Sequence, residues 1–129
     1  MKDNITPDGK RQSSGPRGED EAARYLESQG YKILEANFRS CGSEVDLIAL
    51  KDDTVCFVEV KTRGSDDCGL PEEFVNYYKR RKIIRAAKIY VAEEDLDDYF
   101  IRFDIVSIIM NGGRTEINHI PEAFDGGDV

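Results

Sequence analysis

The run Phe57-Val58-Glu59-Val60-Lys61 constrains this chain more than any other stretch. Its β-branched and aromatic residues read as a buried strand. Side chains of a strand alternate between faces, so Glu59 and Lys61 project the same way. An acid and a base side by side in an apolar strand either pair with each other or act together on a ligand.

The rest of the chain organises around that strand. Residues 1–15 carry Pro, Gly, Ser and mixed charge without periodicity and are expected to form a flexible N-terminal arm. A helix is predicted over 17–29, closed by Gly30. Strands are predicted over 31–37, 44–50 and 54–62, joined by turns at Cys41-Gly42-Ser43 and Lys51-Asp52-Asp53. Residues 64–71 read as loop. A long helix is predicted from Pro71-Glu72-Glu73 to Ala92, then strands over 101–110 and 115–120 around Asn111-Gly112-Gly113. The acidic residues 121–129 are expected to be a loose tail, leaving 16–120 as one domain. Three strands joined by short turns make an antiparallel meander, and the long helix permits a parallel crossover to the fourth. The expected fold is a single α/β domain, a mixed sheet flanked by helices.

In the second strand Glu44 and Asp46 share one face, while Val45, Leu47 and Ala49 form an apolar face read as core. A tight hairpin then sets Asp46 across from Glu59. Two neighbouring carboxylates repel and persist mainly where a cation binds them. An all-oxygen site favours Mg²⁺ or Mn²⁺ over zinc. Beside such an ion, Lys61 could orient a water or stabilise charge on a phosphate in hydrolysis. The plainer reading is a solvated, charged sheet edge.

Charge and cysteines bound the alternatives. The net charge of -8 opposes phosphate binding overall. The charge is unevenly spread, however: Lys79, Arg80, Arg81, Lys82, Arg85 and Lys88 lie in an acid-free stretch, followed by Glu93, Glu94, Asp95, Asp97 and Asp98. Lys79, Arg81 and Arg85 are therefore candidate phosphate ligands, as is Arg63 after the third strand. The competing reading of the basic helix is a solvated face. Arg39 could contact phosphate or pair with a carboxylate. Tyr77 and Tyr78 could stack on bases, but helix tyrosines more often pack on a core. Asp104, inside an apolar strand, is expected to serve a structural hydrogen bond, and His119 to be inert. Cys41, Cys56 and Cys68 lack metal-ligand spacing and are expected to be free thiols. No apolar run is long enough to span a membrane and no signal-peptide core is present, which suggests a cytoplasmic protein.

Taken together, these residues resemble the YraN family of small bacterial proteins, in the PD-(D/E)xK, restriction-endonuclease-like superfamily near the archaeal Holliday-junction resolvases. The resemblance covers residues 18–108. It rests on Gly18-Glu19, Ala22, Tyr25-Leu26 and Gly30; on Asn37-Phe38-Arg39; on Glu44-Val45-Asp46-Leu47-Ile48-Ala49; on Phe57 to Arg63; on Lys79 and Ala87; and on Arg102-Phe103-Asp104. Val45 stands where the superfamily motif has proline.

The resemblance implies a restriction-endonuclease-like fold and an Mg²⁺- or Mn²⁺-dependent nuclease. Asp46, Glu59 and the carbonyl of Val60 would be metal ligands, and Lys61 the catalytic lysine. Glu19 would complete the site from the first helix, with Glu44 as an outer acid or a partner of Lys61. The implied partner is DNA, branched or single-stranded, and a homodimer is a further expectation. The alternative is a non-catalytic nucleic-acid- or protein-binding module on the same fold.

Overall fold

The computed structural model describes residues 16–64 and 76–127. Element order is α1 (Pro16–Ser28), β1 (Lys32–Ser40), β2 (Ser43–Lys51), β3 (Thr54–Gly64), α2 (Tyr77–Glu94), β4 (Phe100–Asn111) and β5 (Arg114–Phe124). The strands form one five-stranded sheet in sequential order. β3 and β4 pair parallel and the other neighbours antiparallel. This is a mixed α/β sheet flanked by two helices, compatible with the restriction-endonuclease-like architecture.

Local chemistry sets these connections. Ser40 pairs with Ser43 and Asn111 with Arg114, so each hairpin turns in two residues. Cys41-Gly42 and Gly112-Gly113 all have positive φ there. Such turns match the twist of the strands, and glycine enters that backbone region without a Cβ clash. In α2, the Asn76 side chain accepts a hydrogen bond from the Lys79 amide at 2.9 Å and caps the helix. Asn76 has extended backbone at this cap, so the helix read as running from Pro71 begins instead at Tyr77. The thiol Cys68 lies outside the described residues.

Both sheet faces are covered. α1 lays Ala22 and Leu26 on Leu47, Ala49, Cys56, Val58, Val106 and Ile108. α2 lays Ile83, Ala86, Ala87 and Tyr90 on Ile48, Val55, Phe57, Phe103 and Ile105. The face carrying Asp46 and Glu59 is therefore core as well, except at its end. Val45 departs from the expected alternation and packs beneath α2 rather than with Leu47. No helix among the described residues is long and apolar enough to cross a membrane.

Three expectations need correction. β5 does not stop at residue 120: the register shifts between Phe103 and Ile105, and the strand continues until Phe124 pairs with and stacks on Phe103. Pro121 lies in that irregularity on an edge strand, where a missing N–H is tolerated, so it does not end the strand. His119 is not inert, since its Nε2 lies 2.7 Å from Asp104 Oδ2. Tyr77 and Tyr78 do not pack on the core; they are exposed at the N-terminus of α2.

Asp104 is fully buried and accepts bonds from Arg102 Nε and Nη2 and from the Glu122 amide, with Arg102 also donating to the Tyr31 hydroxyl at 2.7 Å. This network ties β4 to β5 and to the segment after α1. Burial alone would raise the Asp104 carboxyl, but the bonds from His119 and Arg102 outweigh it and hold it below its usual range. Such a group adds stability in full above the ordinary aspartate range, and loses it as pH falls through its own lower value. Asp104→Asn should therefore cost about 2 kcal/mol at neutral pH, because it takes the carboxylate from the partly buried Arg102 guanidinium. Urea unfolding checks this, and the gap to wild type should narrow in acid.

Candidate metal centre

The β2–β3 ladder runs from Lys51–Thr54 to Leu47–Val58 and stops one residue short of Asp46. The next amide available on β3, that of Val60, donates to Asp46 Oδ2 at 2.8 Å. A carboxylate thus replaces the backbone carbonyl that would have continued the ladder. β3 remains in unbroken parallel register with β4 from Thr54 to Gly64, so Phe57, Glu59, Lys61 and Arg63 share one face.

Where β2 and β3 part, a cavity of about 320 Å³ opens beneath the start of α2. It is lined by Gly42, Glu44, Asp46, Glu59, Tyr78, Lys79 and Lys82. Glu59 is only 4% exposed and forms an ion pair with Lys79 Nζ at 2.9 Å. Glu59 therefore pairs across to α2 and not with Lys61, its neighbour along β3. Lys61 follows on the same face but does not line the cavity. Glu44 pairs with Arg39 at 3.7 Å, not with Lys61.

Glu19 is buried in the first turn of α1, where a carboxylate suits the helix dipole. The helix approaches β3 closely at this point, and a Cβ on Gly18 would meet the Thr62 side chain. Glycine is what lets the α1 start settle there, and this brings the Glu19 charge within range of Asp46.

The basic residues of α2 are split. Lys79 and Lys82, one turn apart, face the acids with Tyr78. Arg81 and Arg85 line a separate cleft with Ile84, Lys88, Gly126 and Gly127. The guanidinium of Arg81 also stands 5.6 Å from the Tyr77 ring. Arg63 is half-buried near the end of β3.

Burial, then the charges of Glu59 and Glu19, push the Asp46 carboxyl up to about 8 against the opposing Val60 amide and Lys79. Burial works against the Lys79 charge, but its hydrogen bond to Glu59 and the charges of Glu59, Asp46 and Glu44 hold the ammonium above its usual range. Cys56 is no rival nucleophile, since burial, then Asp104, push its thiol up to about 12.

Among the described residues no three His, Cys, Asp or Glu side chains form a ready-made metal cage. The donors present are two carboxylates, Glu59 buried and Asp46 half-buried, without nitrogen or sulfur ligands. That set fits a hard cation such as Mg²⁺, which binds through one or two carboxylates and keeps several waters. Asp46, Glu59 and the adjoining backbone of Val60 are the residues that would hold it.

In the sequence, Lys79 reads as a phosphate ligand or as part of a solvated helix face. Its spacing from Tyr78 and Lys82, and the Asn76 cap, put these three on one helix face. Only the packing of α2 shows that this face meets Glu59.

An acid whose pKa folding raises destabilises the fold once the unfolded chain ionises. The penalty begins near the ordinary aspartate value of roughly 4, grows with pH and levels off above about 8. In chelator-containing buffer, Asp46→Asn should raise Tm by about 4 °C at alkaline pH, equivalent to ~1 kcal/mol. That gain should shrink toward mildly acidic pH in thermal melts.

Residues 18–108 match the profile of UPF0102, an uncharacterised protein family. A UPF0102 protein of Clostridium acetobutylicum is 49% identical over 113 residues, covering 86% of this chain and 93% of that one. Another, from Caldanaerobacter subterraneus subsp. tengcongensis, is 44% identical over 117 residues, 88% of this chain and 96% of its own. A solved structure, that of SSO0001, is 18% identical, with the match covering 87% of this chain and 53% of that one at a TM-score of 0.28. The match across most of both proteins' lengths shows that this chain belongs to the UPF0102 family.

Proposed function

We propose that this protein is an Mg²⁺- or Mn²⁺-dependent nuclease that hydrolyses phosphodiester bonds of DNA carrying unpaired or branched segments. One observation carries the reading. Buried Glu59 and half-buried Asp46 line the same open cavity, where burial and then the Glu59 charge push the Asp46 carboxyl up. Unfavourable electrostatics of that kind concentrate at functional sites.

Asp46 and Glu59 hold the cation, and Val60 fixes the Asp46 carboxylate through its amide. When bound, the ion would polarise a phosphoryl oxygen and make a coordinated water more acidic. Lys61, next on the same face of β3, stabilises charge developing on the phosphate. Glu19 adds negative charge from the α1 side and strengthens cation binding. Lys82, with Arg63 further along β3, neutralises neighbouring phosphates. Arg81 and Arg85, on the adjoining cleft, extend that basic track along α2. Tyr78 is 77% exposed on the cavity wall and presents a ring on which an unpaired base stacks. Those last contacts favour single-stranded or branched substrates over uninterrupted duplex.

The second reading, a binding module without turnover, has its own support. The cavity is partly neutralised by the protein's own Lys79, and the chain is acidic overall.

The two readings part on one assay. With Mn²⁺, purified protein should cut a panel of branched and single-stranded DNAs, and chelation should stop it. Asp46→Ala and Lys61→Ala should each lower the rate by about 100-fold or more, the scale seen when one charge-stabilising group is removed. Activity that survives both changes would exclude this site. An RNA panel run alongside identifies the natural sugar. Binding without cleavage would favour the second reading.

A further inference from the structure

Building on the metal-site reading, we infer that Lys79 is a resident counter-ion of the carboxylate pair, which a divalent cation displaces and which on release becomes a phosphate ligand. Glu59, almost fully buried on β3, has its ion pair with an ammonium carried by a different element, α2. Asp46 and Glu44 add to the same attraction, so the ammonium sits in the field of all three acids. A cation ligated by Asp46 and Glu59 needs the Glu59 oxygens that this ammonium holds. Both cannot use those oxygens fully.

Lys79 is suited to leaving. Its side chain is 44% exposed, and the flexible stem of a lysine allows the charged head to swing into water. Its backbone stays fixed, because its own amide is bonded to the Asn76 cap. The freed ammonium moves within reach of Lys82 and Tyr78, on the wall where a nucleotide chain would lie. Lys61 cannot take this role, since it does not line the cavity. The consequence is a coupling: an empty site keeps its phosphate-binding lysine engaged, and loading with metal makes that lysine available.

The test is calorimetric titration of Mn²⁺ into the full chain and its variants, with circular dichroism to confirm folding. Lys79→Met should bind Mn²⁺ at least ~5-fold more tightly than wild type, the effect of deleting one competing charge a few ångström away. Lys79→Arg keeps the charge and should stay within about twofold of wild type. A second arm follows binding of a single-stranded oligonucleotide, with Ca²⁺ as a non-hydrolysing ion, across a salt series. Lys79→Met should lower the magnitude of the log–log salt slope by about one when Ca²⁺ is present and by about zero when it is absent.

Equal or weaker Mn²⁺ affinity in Lys79→Met, with wild type binding normally, overturns the inference while leaving the metal site intact. So does a salt slope that changes equally with and without Ca²⁺. No Mn²⁺ binding by any of the proteins at millimolar metal removes the metal reading, and this inference with it.

Discussion

The bond from the Val60 amide to the Asp46 carboxylate governs how the sheet can open a cavity beneath α2. A sheet normally satisfies its amides along the ladder, and a buried amide left unpaired is costly. Here β2 leaves β3 at Leu47–Val58, and a side chain completes the pairing. The strands can part without stranding a donor, and the gap between them becomes the cavity. The same bond fixes the orientation of Asp46 and lowers its pKa, against the stronger opposing effects of burial and of Glu59. The site is tied to the strongest part of the fold while being one of its electrostatically least favourable parts.

The two sheet faces manage buried charge in opposite ways. Under the α1 side, Asp104 is surrounded by Arg102, His119 and the Glu122 amide. Its charge is satisfied, and the network locks β4 to β5. Under α2, Asp46 and Glu59 sit beside each other, and Lys79 reaches Glu59. The two acids have contrary pKa shifts because Asp104, though the more deeply buried, is ringed by donors, whereas Asp46 has acids beside it. The first arrangement serves the fold, and the second is what a cation-binding centre requires.

Charge distribution reconciles an acidic chain with the phosphate-bearing partner proposed for it. The net charge of -8 counts the acids of the cavity, which a divalent ion would offset, and the acidic residues beyond the end of α2. Against them α2 presents lysines toward the cavity and arginines toward the neighbouring cleft. Local fields within a Debye length, more than the overall sum, decide where a phosphate chain is drawn.

Several features follow from the sequence by itself, because they depend on near neighbours along the chain. The two-residue hairpins come from glycine and polar pairs, the sheet order from turn lengths, and the common face of Phe57, Glu59 and Lys61 from strand alternation. The pairing of Asp46 with β3 was legible too, since a tight hairpin transmits register. Other features needed the tertiary structure. Pro121 reads as a strand end until the edge irregularity accommodates it and Phe124 finds Phe103. His119 reads as isolated until β5 carries it to Asp104. Which ammonium answers Glu59 was likewise undecidable along the chain. Lys61 is two residues away but sits further along the strand, whereas Lys79 is delivered by a helix whose docking depends on Ile83, Ala86, Ala87 and Tyr90 meeting the sheet. Short-range geometry is written in spacing. A contact between elements depends on how two apolar surfaces come to rest on each other, and no local pattern encodes that.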